Sequence, residues 1–179
     1  MADSSTDYLA YGDLFQWGRQ DDGHQLINWT GSYIGEPLSG TTSTLATTDN
    51  PGHDDFILTN DSPYDWRDDN NHNRWNANPV ENNPCPTGWR VPTEAEWDLE
   101  RLSWGENDYT GAYNSPLKLP VTATRDGGGG WLANVGGTGS YWSSTVDDSN
   151  SLLLTFDSMY AGISWYTRSF GNSVRCIKD

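Results

Sequence analysis

The chain carries two cysteines, Cys85 and Cys176, and three histidines, His24, His53 and His72. Zinc takes thiolates and imidazoles in close pairs, because four short side chains must converge on one tetrahedral ion. No Cys-x-x-Cys and no His-x-x-x-His occurs, and each histidine falls in a polar stretch that reads as loop, so a zinc centre has no support. Ser143 and Ser144 lack the Gly-x-Ser-x-Gly turn that exposes a nucleophile. The carboxylate pairs Asp54-Asp55 and Asp147-Asp148 are what an acidic chain produces by chance, and glycoside chemistry would also need a cleft between its two acids. Asp61, Asp65, Asp68, Asp69, Asn70 and Asn71 supply oxygens of the kind calcium takes. A structural cation there competes with the plainer reading of a solvated acidic face. Asp126 and the four glycines after it form a flexible turn rather than a phosphate loop, since no Gly-Lys-Ser/Thr follows. No catalytic residue is assigned, and no cofactor beyond that structural calcium.

Recognition fits the residue types better. The stretch 139–179 opens with Tyr141, Trp142, Ser143, Ser144 and Thr145, continues as an alternating run, passes through an aromatic-rich loop and ends in a short strand. Alternation over 151–157 points Leu152, Leu154 and Phe156 toward a core, leaving Ser151, Leu153, Thr155 and Asp157 outward. Leu153, Met159, Tyr160, Ile163, Trp165, Tyr166 and Phe170 are together more apolar surface than a solvent loop carries. Contiguous exposed apolar patches mark interaction sites, and the competing reading places several of these side chains in an aromatic core. The candidate ligand-binding residues are those seven with Ser149, Asn150, Ser151, Thr155, Asp157 and Asn172, supported by Trp142 and Trp131. Tyr and Trp give contact area at low entropy cost, while Ser, Asn and Asp supply donors and acceptors.

The elements that position this stretch are mostly short. With 179 residues the chain is long enough for one well-packed domain, and 10 tryptophans imply an aromatic core with much ordered loop. Residues 7–18 read as one or two short strands with Tyr8, Tyr11, Phe15 and Trp17 in the core. From 19 to about 82 the chain is polar and loop-rich, and Trp29, Trp66 and Trp75 are the anchors expected to pin it. Thr93 followed by Glu96 is a capping box that opens a helix, with Val91 placed to pack on it, Trp97 and Leu102 on its buried face and Gly105 as its stop. Residues 107–120 read as loop, and Leu117, Leu119 and Val121 as a strand.

A net charge of -15 repels phosphate backbones, so nucleic acid is an unfavoured partner, and anionic membranes are disfavoured for the same reason. No apolar run approaches bilayer-spanning length, and the first twelve residues lack the basic and apolar regions of a secretory signal. The chain is expected to be soluble, with no membrane insertion.

Three blocks carry a resemblance: Cys85-Pro86-Thr87-Gly88-Trp89-Arg90-Val91-Pro92-Thr93-Glu94-Ala95-Glu96-Trp97, Gly139-Ser140-Tyr141-Trp142-Ser143-Ser144-Thr145 and Ser173-Val174-Arg175-Cys176-Ile177-Lys178-Asp179. With the upstream Tyr11-Gly12-Asp13-Leu14-Phe15-Gln16-Trp17-Gly18-Arg19, they span nearly the whole chain in order. The chain resembles the Fibrobacter succinogenes major paralogous domain family. That family is similar in fold to formylglycine-generating enzymes and to the variable proteins of diversity-generating retroelements. The resemblance implies an α+β fold of the C-type lectin-like kind over residues 1–179, with short antiparallel sheets, one or two helices and a variable C-terminal region at about 139–179. It implies a diversified surface that binds a protein or glycan ligand on a target surface, from a virion or a bacterial cell surface. It also allows Cys85 and Cys176 to lie side by side, bridged as a disulfide in an oxidising setting or left as two buried thiols in a cytosolic host. The alternatives are a structural or cell-surface paralogous domain without a variable site and, with less support, a formylglycine-generating type of oxidase, which needs reactive cysteines close together. The Glu-Pro-Asn and Trp-Asn-Asp motifs of calcium-dependent sugar-binding lectins are absent, Glu36-Pro37-Leu38 being the nearest match.

Overall fold

The structure is a computed structural model describing residues 1–69, 73–76 and 81–178. After a 3₁₀ turn at Tyr8–Ala10 come strands β1 (Leu14–Gln16), β2 (Ile27–Gly31), β3 (Ile34–Pro37), β4 (Thr41–Thr42), β5 (Phe56–Ile57) and β6 (Trp89–Arg90). Helices α1 (Glu94–Leu102) and α2 (Tyr109–Asn114) follow, then β7 (Thr124–Arg125) and β8 (Leu132–Ala133). The final third supplies β9 (Gly139–Asp147), β10 (Asn150–Phe156), β11 (Ala161–Thr167), β12 (Gly171–Ser173) and β13 (Ile177–Lys178). The fold is mixed α+β, mostly strand with two short helices. Among the described residues no helix is long and apolar enough to cross a membrane.

The main sheet runs β11-β10-β9-β12-β7-β8, and β1 also pairs with β12. Strand β12 is therefore the junction: antiparallel to β1 through Phe15↔Asn172, antiparallel to β7, and parallel to β9 through Ser173↔Tyr141. The meander β9–β10–β11 is the longest regular piece, and β11 pairs with β10 from Asn150↔Thr167 to Phe156↔Ala161.

Helix α1 begins as its sequence demands. Thr93 accepts from the Glu96 amide at 3.3 Å, and Glu96 Oε2 accepts from the Thr93 amide at 2.8 Å. Arg90 donates to both Glu96 carboxylate oxygens, and this pairing holds its pKa down to about 2. Trp97 is buried, but Leu102 is 64% exposed, contrary to expectation. Five residues at 3.6 per turn place Leu102 about 140° around the helix from Trp97, so one face cannot bury both. The helix ends at Leu102 with Ser103 as its C-cap, ahead of Gly105. Val91 joins Cys85, Trp17, Trp142 and Leu153 in a separate core cluster.

Two further expectations are corrected. Residues 107–120 contain α2, capped by Asp108 Oδ1, which accepts from the Thr110 and Gly111 amides at 2.7 and 3.2 Å. Residues 117–121 form no strand, although Leu119 and Val121 are buried. In the opening segment Tyr8 lies in the 3₁₀ turn, half-buried like Phe15, while Tyr11 and Trp17 are fully buried.

Indole N–H groups stitch the loops to the sheet. Trp66 donates to the Trp17 carbonyl, Trp17 to Ser143, Trp142 to Phe15 and Trp97 to Trp142, all at 2.8–3.0 Å. A buried indole must find an acceptor, so each bond fixes ring and loop together. Trp66 and Trp75 anchor the long polar segment in this way, Trp75 donating to Asn82 at 2.9 Å; Trp29 is half-buried and donates to Gly12 at 2.7 Å.

His24 lies in this interior rather than in a solvated loop. Its Nε2 accepts from the Gln16 amide at 3.0 Å and its Nδ1 faces Asp22 at 2.7 Å, which defines a neutral ring protonated on Nδ1. Burial lowers its pKa to about 4; Asp22 opposes the shift, and Arg19 and Arg125 add to it. An unfolded histidine titrates near 6.5, so this stability is complete above that pH and is lost as pH falls toward 4. Denaturant titrations at pH 7 and pH 4 are expected to show a loss of about 3 kcal/mol from this group. His24→Gln should flatten that dependence.

Candidate binding surface

The hairpin β10–β11 forms one edge of the sheet and carries most of the proposed contact residues. Its turn is built by Asp157, whose Oδ1 accepts from the Met159 and Tyr160 amides at 2.7 and 3.0 Å. An Asp side chain that imitates a backbone turn fixes the residues after it. Asp157 is thus exposed, with a carboxylate already committed to shaping the loop. Met159 stands 88% exposed and Tyr160 58%. The Tyr160 ring lies over Gly162, where a Cβ would collide with it.

Side chains on the two strands separate by face. Leu152, Leu154 and Phe156 share a face with their β11 partners Trp165, Ile163 and Ala161. Phe156, Leu154 and Ala161 are buried in the cluster that holds Trp97 and Tyr141, and Ile163 packs half-buried against it. Trp165 lies at the far end of this row, 58% exposed beside a half-buried Leu152. On the other face Tyr166 is half-buried and stacked on Phe170, with centroids 4.9 Å apart and planes at 19°. Ser149, Asn150 and Thr155 are half-buried.

Three expected contact residues are not at the surface. Leu153 is fully buried among Trp17, Trp142 and Val91, because the second face of β10 is covered as completely as the first. Ser151 is buried with its Oγ accepting from Arg168 Nε at 3.1 Å. Asn172 is buried at the β12 junction, its Oδ1 accepting from Thr124 Oγ1 at 2.9 Å. Of the two supporting tryptophans, Trp142 is buried. Trp131 is 61% exposed, just before β8, at the opposite end of the strand order from β11. The exposed large side chains of the hairpin are Met159 and Tyr160 at its turn and Trp165 toward its open end; Ile163 is half-buried on the Trp165 face, and Thr155 and Tyr166 are half-buried on the other.

What holds this hairpin in place had no signal in the sequence. Arg168, directly after β11, is fully buried. It donates to the Asp148 carbonyl at 2.7 Å and the Asn150 carbonyl at 3.3 Å, and faces Asp65 Oδ2 at 3.5 Å. Asp65, also fully buried, faces Arg74 Nη1 at 2.8 Å. Arg74 in turn lies over the Trp66 ring at 4.6 Å, and Arg168 over Trp17 at 4.9 Å. Arginine is seldom fully buried, so a charge in the sequence gives no hint of such a knot.

The same knot bears on the cation reading. Asp65 and Asp69 face arginines, Asp69 pairing with both Arg67 and Arg74, which places positive charge where a cation would sit. Asp61 and Asp68 are exposed, while Asn70, Asn71 and His72 lie outside the described residues, as does Asp179 of the last motif. Among the described residues no group of three or more His, Cys, Asp or Glu is placed to hold a metal ion.

Cys85 and Cys176 are joined as a disulfide, with Cα atoms 5.8 Å apart. The bridge ties the segment before β6 to the segment before β13, and those two strands pair through Ile177↔Arg90. Beside it runs a groove of about 410 Å³, lined in part by Pro92, Trp97, Leu99, Leu117, Cys176 and Ile177. This groove lies along α1 and is separate from the exposed group on the hairpin. Compared with protein-family models, curated proteins and solved structures, the chain matches none.

Proposed function

We propose that this chain is a ligand-binding protein of C-type lectin fold, related to the variable proteins of diversity-generating retroelements, whose C-terminal hairpin displays side chains to a protein or glycan on a target surface. The observation that carries the reading is the contrast within β10–β11. Leu153, Leu154 and Phe156 are sealed inside, while Met159, Tyr160 and Trp165 are exposed on the same hairpin. Large exposed aromatics on a rigid frame are the usual energetic anchors of an interface. The disulfide supports display in an oxidising setting, where such bridges persist. Cys85 and Cys176 are joined to each other across 91 residues, which favours a structural role for the pair.

The test is binding of the purified chain to arrayed glycans and to intact bacterial cells. Trp165→Ala or Tyr160→Ala is expected to weaken any captured interaction by at least about tenfold, as loss of an interface anchor does. Both positions are open to solvent, so unfolding free energy should move by no more than about 0.5 kcal/mol. Variants that fold normally and bind undiminished would remove the hairpin from the interface. A neighbouring reverse-transcriptase gene and a near-copy of the terminal repeat differing at adenines would connect the chain to a diversifying system.

A second reading, a paralogous structural domain that packs against a neighbour, is favoured by the α1 groove, which the largely exposed Leu99 lines, with the exposed Leu102 three residues further along the helix. Substituting both leucines by Gln separates the two: it should abolish such packing and leave hairpin-mediated binding intact.

A further inference from the structure

A second concavity, of about 250 Å³, lies where the N-terminal segment, the β2–β3 turn, the start of α2 and the β10–β11 turn meet. None of its eight lining residues carries a charge, in a chain whose residues are 20% charged. Five of them, Ser5, Thr6, Tyr33, Tyr109 and Ser158, bear hydroxyls. Among the described residues none of those hydroxyls has a hydrogen-bond partner in the chain. The volume falls below the roughly 300–1,000 Å³ typical of drug-sized ligands, so the cleft suits something smaller.

Its walls are braced from behind. Val121 N donates to the Ser5 carbonyl at 2.8 Å, Ser32 Oγ to the Thr6 carbonyl at 2.7 Å, and Tyr109 N to the Asp157 carbonyl at 2.8 Å. Gly136 takes a positive φ of 68°, and any Cβ there would strike the Ser32 carbonyl and the Tyr33 ring. Glycine therefore lets Tyr33 seat its ring against the cleft floor while the residue stays 69% exposed. The exposed Tyr33 ring, a half-buried Tyr109 that also packs on the core, open hydroxyls and no charge are complementary to a ligand with apolar C–H faces and neutral hydroxyls. A charged ligand would meet no counter-charge here, and a purely apolar one would leave hydroxyls unpaired.

The geometry points to a binding site for a small neutral polyhydroxylated molecule, a monosaccharide unit or polyol, in the cleft between Tyr33, Tyr109 and Ser158. Through Ser158 it borders the turn that carries Met159 and Tyr160, but Trp165 is not among its lining residues.

The test is titration of the full ¹⁵N-labelled chain with the methyl glycosides of glucose, galactose and mannose, with N-acetylglucosamine and with myo-inositol, followed by amide NMR. At least one probe should give saturable shifts at Ser5, Thr6, Gly136, Gly137 and Ser158. Tyr33→Ala should weaken it about tenfold, the order expected for a lost aromatic contact. Ser158→Ala should weaken it less, and Trp165→Ala should leave it unchanged. Glucuronate and glucosamine should bind no better than the neutral parents. Absence of saturable shifts with every probe would overturn the assignment, as would shifts confined to other residues. So would an unchanged affinity in folded Tyr33→Ala, or shifts at the cleft that follow protein concentration alone and mark self-contact.

Discussion

Asp65→Asn is expected to lower the unfolding free energy by about 3–5 kcal/mol, the usual effect of removing one partner from a buried ion pair. The side chain keeps its shape, so no cavity forms; the loss comes from the missing charge and from an NH₂ donor replacing one of two oxygens that both accept hydrogen bonds. Asp65, Arg74 and Arg168 are all fully buried, and the carboxylate is the negative centre that both guanidiniums face. Natural domains are stable by about 5–15 kcal/mol, so the variant should unfold at much lower urea. Asp61→Asn is the control, because Asp61 is exposed and should shift stability by no more than about 0.5 kcal/mol. The effect reaches the binding surface because Arg168 also grips the carbonyls of Asp148 and Asn150 at the open end of the hairpin.

Removing the disulfide should have a comparable effect by a different route. Cys85 and Cys176 are 91 residues apart, and closing a loop of that length restricts the unfolded chain by about 4–5 kcal/mol in the chain-entropy model. The double variant Cys85→Ser, Cys176→Ser, compared with wild type by denaturant unfolding, should show that loss. Added reductant should reproduce it in the wild type and do nothing further to the variant. A change below about 1 kcal/mol would mean that the unfolded chain is already compact without the bridge.

How much of this was legible depends on how far apart in sequence the causes lie. The Thr93–Glu96 cap needs four consecutive residues, and it is present as read. The Asp108 cap of α2 was equally local, but Gly111 and Pro116 nearby argue against a helix, and tertiary packing overrode that preference. Gly111 is needed there, since a Cβ would collide with the Glu106 carbonyl. Leu153 illustrates the limit: alternation separates two faces of β10 but cannot say that Trp17 and Trp142 will cover the second one. Ser151 and Asn172 failed for the same reason, because their buried partners Arg168 and Thr124 come from elsewhere in the chain. The exposed residues were easier to read. Met159 and Tyr160 belong to a four-residue turn set by Asp157, and Trp165 sits on an edge strand.

A complete substitution scan of residues 149–172, scored by protease resistance of the displayed chain, measures most directly whether a fixed frame carries a free surface. Positions 159, 160 and 165 should accept nearly every residue type, while 151, 153, 154, 156, 168 and 172 should accept few. If Tyr160 and Trp165 prove as intolerant as Leu153, they serve the core, and the hairpin is not a display surface.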